Sequence, residues 1–173
     1  MDASAAGLRG LVPLVASLPL AACFSTYCPS AKAPTVSAVS LPAAEVMLTN
    51  ARSSQPQWID NGRGSVRVDL HEWTSTAIEV VSEVLRVHGI AVKTHAERDI
   101  ALAVTGVELE SSSGGFATTC RLHVDVSLGS GTTLSVIAMA KSVSWTRACE
   151  EAVCNISRVL LEDVRMRQYL AGS

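Results

Sequence analysis

The stretch Phe116-Ala117-Thr118-Thr119-Cys120-Arg121-Leu122-His123-Val124-Asp125-Val126 decides the fold. Phe116, Thr118, Cys120, Leu122, Val124 and Val126 alternate with Ala117, Thr119, Arg121, His123 and Asp125. Successive side chains of a strand point to opposite faces, so this period of two predicts a half-buried strand. Phe116, Cys120, Leu122 and Val124 take the inward side. Arg121, His123 and Asp125 form an outward row, which is either the wet face of an antiparallel sheet or a recognition patch.

The neighbours of this strand extend it into a meander. Gly129-Ser130-Gly131 is a tight turn into a second apolar run, Thr132 to Lys141. On the other side Ile100, Leu102 and Val104 alternate, and Val107 and Leu109 continue on the shifted parity. Gly106 falls where the parity changes, which predicts a bulge. Ser111-Ser112-Ser113-Gly114-Gly115 is a hairpin connection, so the three strands are expected to run antiparallel.

Two helices flank the meander. From Leu70 to His88 the apolar positions Leu70, Trp73, Ala77, Val80, Val81, Val84 and Leu85 follow the i, i+3, i+4, i+7 rule of one buried face. Asp69 is placed to cap the start, and Gly89 to end the helix in a left-handed conformation. A second helix is expected from about Trp145 to Arg165, with Trp145, Ala148, Cys149, Ala152, Ile156, Val159 and Leu160 on one face. Val46 and Leu48 mark a short strand. Residues 50–65 read as loop, with Trp58-Ile59 docking on the core, and Val66, Val68 and Leu70 alternate into the first helix. The expected class is α+β: two amphipathic helices on one face of a small, mostly antiparallel sheet of three to five strands.

Composition narrows the function. The chain has 173 residues, 48% of them hydrophobic and only 4% aromatic, so its core is built from Val, Leu, Ile and Ala. The net charge is -2, and neither a basic stripe for nucleic acid nor a polybasic segment for anionic lipid is present.

The N-terminus carries an address. An apolar run from Leu11 to Ala22 is as long as a signal-peptide core and too short for a membrane span, which takes about 20 residues. It ends in Leu20-Ala21-Ala22-Cys23, which resembles the lipobox of bacterial lipoproteins. The resemblance implies cleavage before Cys23, lipidation of its thiol and acylation of the new amino group with a fatty acid such as palmitate. At about 0.8 kcal/mol per buried CH₂, two or three acyl chains hold a protein on a bilayer essentially permanently. Arg9 is the only basic residue ahead of the run and Asp2 opposes it. An ordinary cleaved signal and a frayed cytosolic terminus are therefore the competing readings. The expected organisation is a signal peptide over 1–22, a lipidated Ser/Ala/Pro-rich tether over 23–43, and one periplasmic domain over 44–170. Phe24 follows the cysteine, whereas the inner-membrane retention signal of lipoproteins is an aspartate there. The resemblance thus favours the periplasmic face of the outer membrane.

The order of elements, a lipobox, a tether, a strand, an amphipathic helix, a three-strand meander and a long last helix, resembles the YajG-type periplasmic lipoproteins. It is also similar in layout to the N-terminal domain of TolB and to lipoproteins of envelope transport and polysaccharide export. The local segment most similar runs from Val66 to Val92. The resemblance implies an envelope scaffold or interaction protein, with other envelope proteins as partners, and carries over no functional residue except Cys23.

Enzymatic chemistry is not expected. His71, His88, His95 and His123 lie 17, 7 and 28 residues apart, without the spacing of a metal site. Ser130 between two glycines lacks the frame of a nucleophile elbow, and Gly62-Arg63-Gly64 lacks the ending of a phosphate loop. Neither catalytic residues nor a cofactor are expected, and the oligomeric state is open.

The thiols give the last expectation. With Cys23 lipidated, four cysteines remain. Cys120 has the inward parity of its strand and Cys149 lies on the buried stripe of the last helix. Any disulfide in the core is therefore expected to be Cys120–Cys149, the alternative being two packed thiols. Cys154 is expected to be exposed, either free or paired with Cys28.

Overall fold

The computed structural model describes residues 26–34, 44–61, 64–112 and 116–172. Cys23, the signal segment 1–22 and part of the expected tether lie outside the described residues, as do Gly62-Arg63 and Ser113-Gly114-Gly115.

Strands β1 (Glu45–Asn50), β4 (Ala91–Val92), β5 (Arg98–Ser111), β6 (Thr118–Leu128) and β7 (Thr133–Ser142) form one sheet in the order β4-β1-β5-β6-β7. Strands β5, β6 and β7 are the antiparallel meander. Strand β1 instead runs parallel to both β4 and β5, so the sheet is mixed. The cause is topological: helix α1 (Leu70–Val87) carries the chain back between β1 and β5, and such a crossover returns the next strand parallel. Pairing of β5 with β6 shifts register between Val104 and Gly106, the bulge expected at that glycine.

Helices α1 and α2 (Trp145–Glu162) pack side by side on one face of the sheet. All seven apolar positions of the α1 stripe are buried, and Asp69 caps the helix by accepting from the His71 amide at 2.9 Å. Gly89 follows the helix at φ +84°, where a side chain would strain the backbone. Beneath the helices, Ile100, Leu102, Val104, Cys120, Leu122, Val124, Val126, Leu134 and Ala138 form the inner sheet face.

Four expectations need correction. The last helix does not continue to Arg165. It ends at Glu162, and Asp163 accepts from the amides of Arg165 and Met166 to start α3 (Val164–Ala171). A carboxylate that satisfies the free amides of a new first turn makes the break favourable, although the apolar spacing runs across it. Residues 50–65 are not all loop: β2 (Pro56–Asp60) pairs antiparallel with β3 (Ser65–Asp69), burying Ile59 while Trp58 stays 56% exposed. Phe116 is not inward, because β6 begins two residues later, and its side chain is 84% exposed. Finally, residues 26–34 of the expected tether lie against the domain, joined to it through Tyr27.

Candidate interaction surfaces

The outward row of β6 is where the period of two places it, opposite the helices. Each member is tied to a neighbouring strand. Arg121 Nη1 lies 3.0 Å from Glu110 Oε1 on β5, and the Ser135 hydroxyl on β7 donates to Asp125 Oδ1 at 2.7 Å. His123 Nε2 is 3.1 Å from Glu108 Oε1 without a hydrogen bond between them, so the contact is an ion pair only when the imidazole carries a proton. The His123 ring lies over Gly106, where an added Cβ would meet its Cδ2 at 3.5 Å. Half-exposed pairs of this kind contribute about 0.2–1 kcal/mol each. They order the face more than they stabilise it.

Beside this row β7 presents two half-exposed apolar side chains. Ile137 pairs with His123 and Met139 with Arg121. Strand β7 is also a sheet edge of ten residues without proline or bulge, whereas the opposite edge strand, β4, has two residues. Long unbroken edges invite pairing, and short ones resist it. One edge carbonyl is occupied: Asn155 Nδ2 on α2 donates to Met139 O at 2.9 Å.

The second surface is built around Tyr27, which the sequence pattern assigns to a tether. Its amide donates to Arg67 O at 2.8 Å, alongside a parallel bridge to Val68, and its carbonyl accepts from Trp73 Nε1 at 3.0 Å. The hydroxyl donates to Thr146 O at 3.2 Å. The ring stands edge-on to Trp73 and Trp145, with centroids 5.7 and 4.6 Å away. Burial, followed by the neighbouring Cys149 and Glu150, pushes the phenol above its usual range, so it stays a neutral donor. Further along, Cys154 Sγ donates to Lys32 O at 2.9 Å and Cys28 Sγ lies 3.5 Å from Thr76 Oγ1. The signal for this docking was an aromatic residue in a Ser/Ala/Pro-rich segment.

The remaining thiols meet in the core. Cys120 and Cys149 are both buried as free thiols, and hydrogen bonding to Cys120, then burial, pushes the Cys149 thiol far above its ordinary range. Cys28 and Cys154 are also free and take part in separate contacts.

The histidines are scattered. His71 Nδ1 meets the Arg52 carbonyl, and His88 is buried at the end of α1. Among the described residues no group of three His, Cys, Asp or Glu could hold a metal ion. An apolar crevice lies between α1, α2 and α3, lined by Val81, Leu85, Ile100, Leu160 and Met166. Among the described residues no helix is long and apolar enough to cross a membrane.

No protein-family model matches the chain, and no curated protein does, so the YajG-type likeness stands on layout alone. Among solved structures the chain is similar to the crystal structure of protein XCC0632 from Xanthomonas campestris, assigned to the family model DUF330. The two are 14% identical with a TM-score of 0.48, over 77% of this chain and 90% of the other.

Proposed function

We propose that this chain is a lipid-anchored lipoprotein of the bacterial envelope, with a structural or interaction role in the periplasm and no catalysis of its own. The observation that carries this reading is Leu20-Ala21-Ala22-Cys23 at the end of an apolar run of signal-peptide length. The domain that follows supports it, since its salient surfaces are a patterned sheet face and a long edge, both suited to contact with another protein. The proposed location is the periplasmic face of the outer membrane, with the membrane itself as first partner. Metabolic labelling with a fatty acid tests the anchor. Wild type is expected to take up label and Cys23→Ala to take up none, and equal labelling of both, or of neither, overturns the reading.

A second reading makes the chain an accessory binding lipoprotein of an envelope transport or polysaccharide export machine. It is favoured by the open edge of β7 with Ile137 and Met139 beside it, because an extended segment of a partner can add to such an edge as a further strand.

A further inference from the structure

We infer that the lipid anchor straps one defined pole of the domain onto the bilayer, and that Phe116 and Val143 enter the membrane interface there. This rests on lipidation of Cys23, and it goes beyond that reading by fixing the orientation and distance of the domain.

The first observation is the number of residues between Cys23 and the first docked side chain. Cys23 and Tyr27 are four residues apart, and Tyr27 is held by three hydrogen bonds and two aromatic rings. Fully extended, four residues reach at most about 14 Å. A tether of the whole interval 23–43 would let the domain drift several times farther and tumble. With Tyr27 docked, the domain surface around Tyr27 must stay close to the lipid headgroups.

The second observation is independent and concerns what that pole exposes. Trp145, in ring contact with Tyr27, is preceded at two residues' distance by Val143, which is 83% exposed. Val143 follows Ser142, whose strand partner is Thr118, and Phe116 lies two residues before Thr118. Phe116 and Val143 are the two most exposed large apolar side chains among the described residues, and they flank the same end of the β6–β7 pair. Trp58, itself 56% exposed, is paired with Arg67, the residue whose carbonyl receives the Tyr27 amide. Aromatic and aliphatic side chains gathered at one end of a molecule fit the headgroup–acyl boundary, where an apolar body gains burial. Nearby charges are of both signs, with Arg121, Lys141 and Arg147 against Glu108, Glu110 and Glu150. Insertion at this pole is therefore driven by apolar contact and depends little on anionic lipid.

The opposite pole is the control. The β6–β7 turn at Ser130 lies beyond the far end of β6, an eleven-residue strand, and is exposed. At about 3.4 Å per residue it stands roughly 37 Å from the strapped end.

The experiment places the photoreactive amino acid benzoylphenylalanine at position 116, 143 or 130 of the full chain, expressed in a bacterium and labelled with a fatty acid. Irradiation of intact membranes is expected to give phospholipid adducts at 116 and 143 at least about fivefold above those at 130. A protein that takes up fatty acid but gives no adduct at 116, or equal adducts at 116 and 130, overturns the orientation and leaves the anchor standing. A protein that takes up no fatty acid overturns the anchor and this inference with it. Twenty Gly/Ser residues inserted between Ser25 and Thr26 lengthen the strap without touching the domain. Adducts at 116 are expected to fall toward the level at 130, and undiminished adducts would refute the short strap as their cause.

Discussion

Thr74→Val tests how the sheet is finished beneath α1. Strand β1 stops pairing with β5 at Asn50 and Leu102, and Ala51 N–H closes that edge on Leu102 O. The next amide on the same edge, that of Val104, is received by Thr74 Oγ1 at 2.9 Å, and the same hydroxyl donates to Leu70 O at 2.7 Å. Thr74 is 0% exposed, so water cannot take its place. Valine has nearly the same shape and opens no cavity, but it leaves the Val104 N–H buried without an acceptor. Such an orphan costs about 1–3 kcal/mol. Exchange of a hydroxyl for a methyl in an apolar layer returns less than about 1 kcal/mol. The expected net loss is about 1–2 kcal/mol, a fall in Tm of about 2–8 °C for a domain of this size. Urea unfolding with an unchanged m-value measures the first, and native-state hydrogen exchange at the Val104 amide reads the bond itself. Thr74→Ser keeps the acceptor and is expected to retain the amide's protection. A Thr74→Val protein as stable as wild type, with Val104 still protected, would refute the reasoning.

Asp69 makes the fold sensitive to acid. The Ser54 hydroxyl, against the opposing effect of burial and with help from the His71 amide, holds its carboxyl below the usual range. A folded pKa below the unfolded one means stability that is present above about pH 4 and lost as pH falls through the folded pKa. Asp69→Asn should therefore be less stable than wild type at pH 6, with the gap closing toward pH 3, and a gap independent of pH would argue against the ionised carboxylate as its source. Thiol accessibility separates the cysteines: native alkylation should modify exposed Cys28 first and reach Cys120 and Cys149 only on unfolding. If the protein is oxidised, mass spectrometry of unreduced peptides should find Cys120 joined to Cys149. A Cys28–Cys154 peptide would contradict the separate contacts those two sulfurs make with Thr76 and Lys32.

Much of this architecture is local and was legible in residue order. The alternation from Thr118 to Val126 sets which side of β6 is buried, because a strand has no freedom to turn one side chain without its neighbours. The α1 stripe, its Asp69 cap and the bulge at Gly106 are likewise short-range consequences of side-chain spacing. Long-range partnership is another matter. Nothing in Val46 or Leu48 says that β1 runs parallel to β5, since that depends on α1 returning the chain across the sheet. Strand β2 is legible only beside β3, because Trp58 and Ile59 take opposite faces through the hairpin and not through an apolar period of their own. The break at Asp163 is local too: its carboxylate caps the amides two and three residues on, as Asp69 caps that of His71, but the continuous apolar spacing across it hides the signal. The sharpest case is Tyr27. In the sequence it is one of two rings, with Phe24, in a Ser/Ala/Pro-rich segment, and only tertiary structure brings Arg67 of β3, Trp73 of α1, and Trp145 and Thr146 of α2 together to hold it. Local spacing determines which face of an element is apolar. Which faces meet depends on every element at once, so only the tertiary structure could decide it.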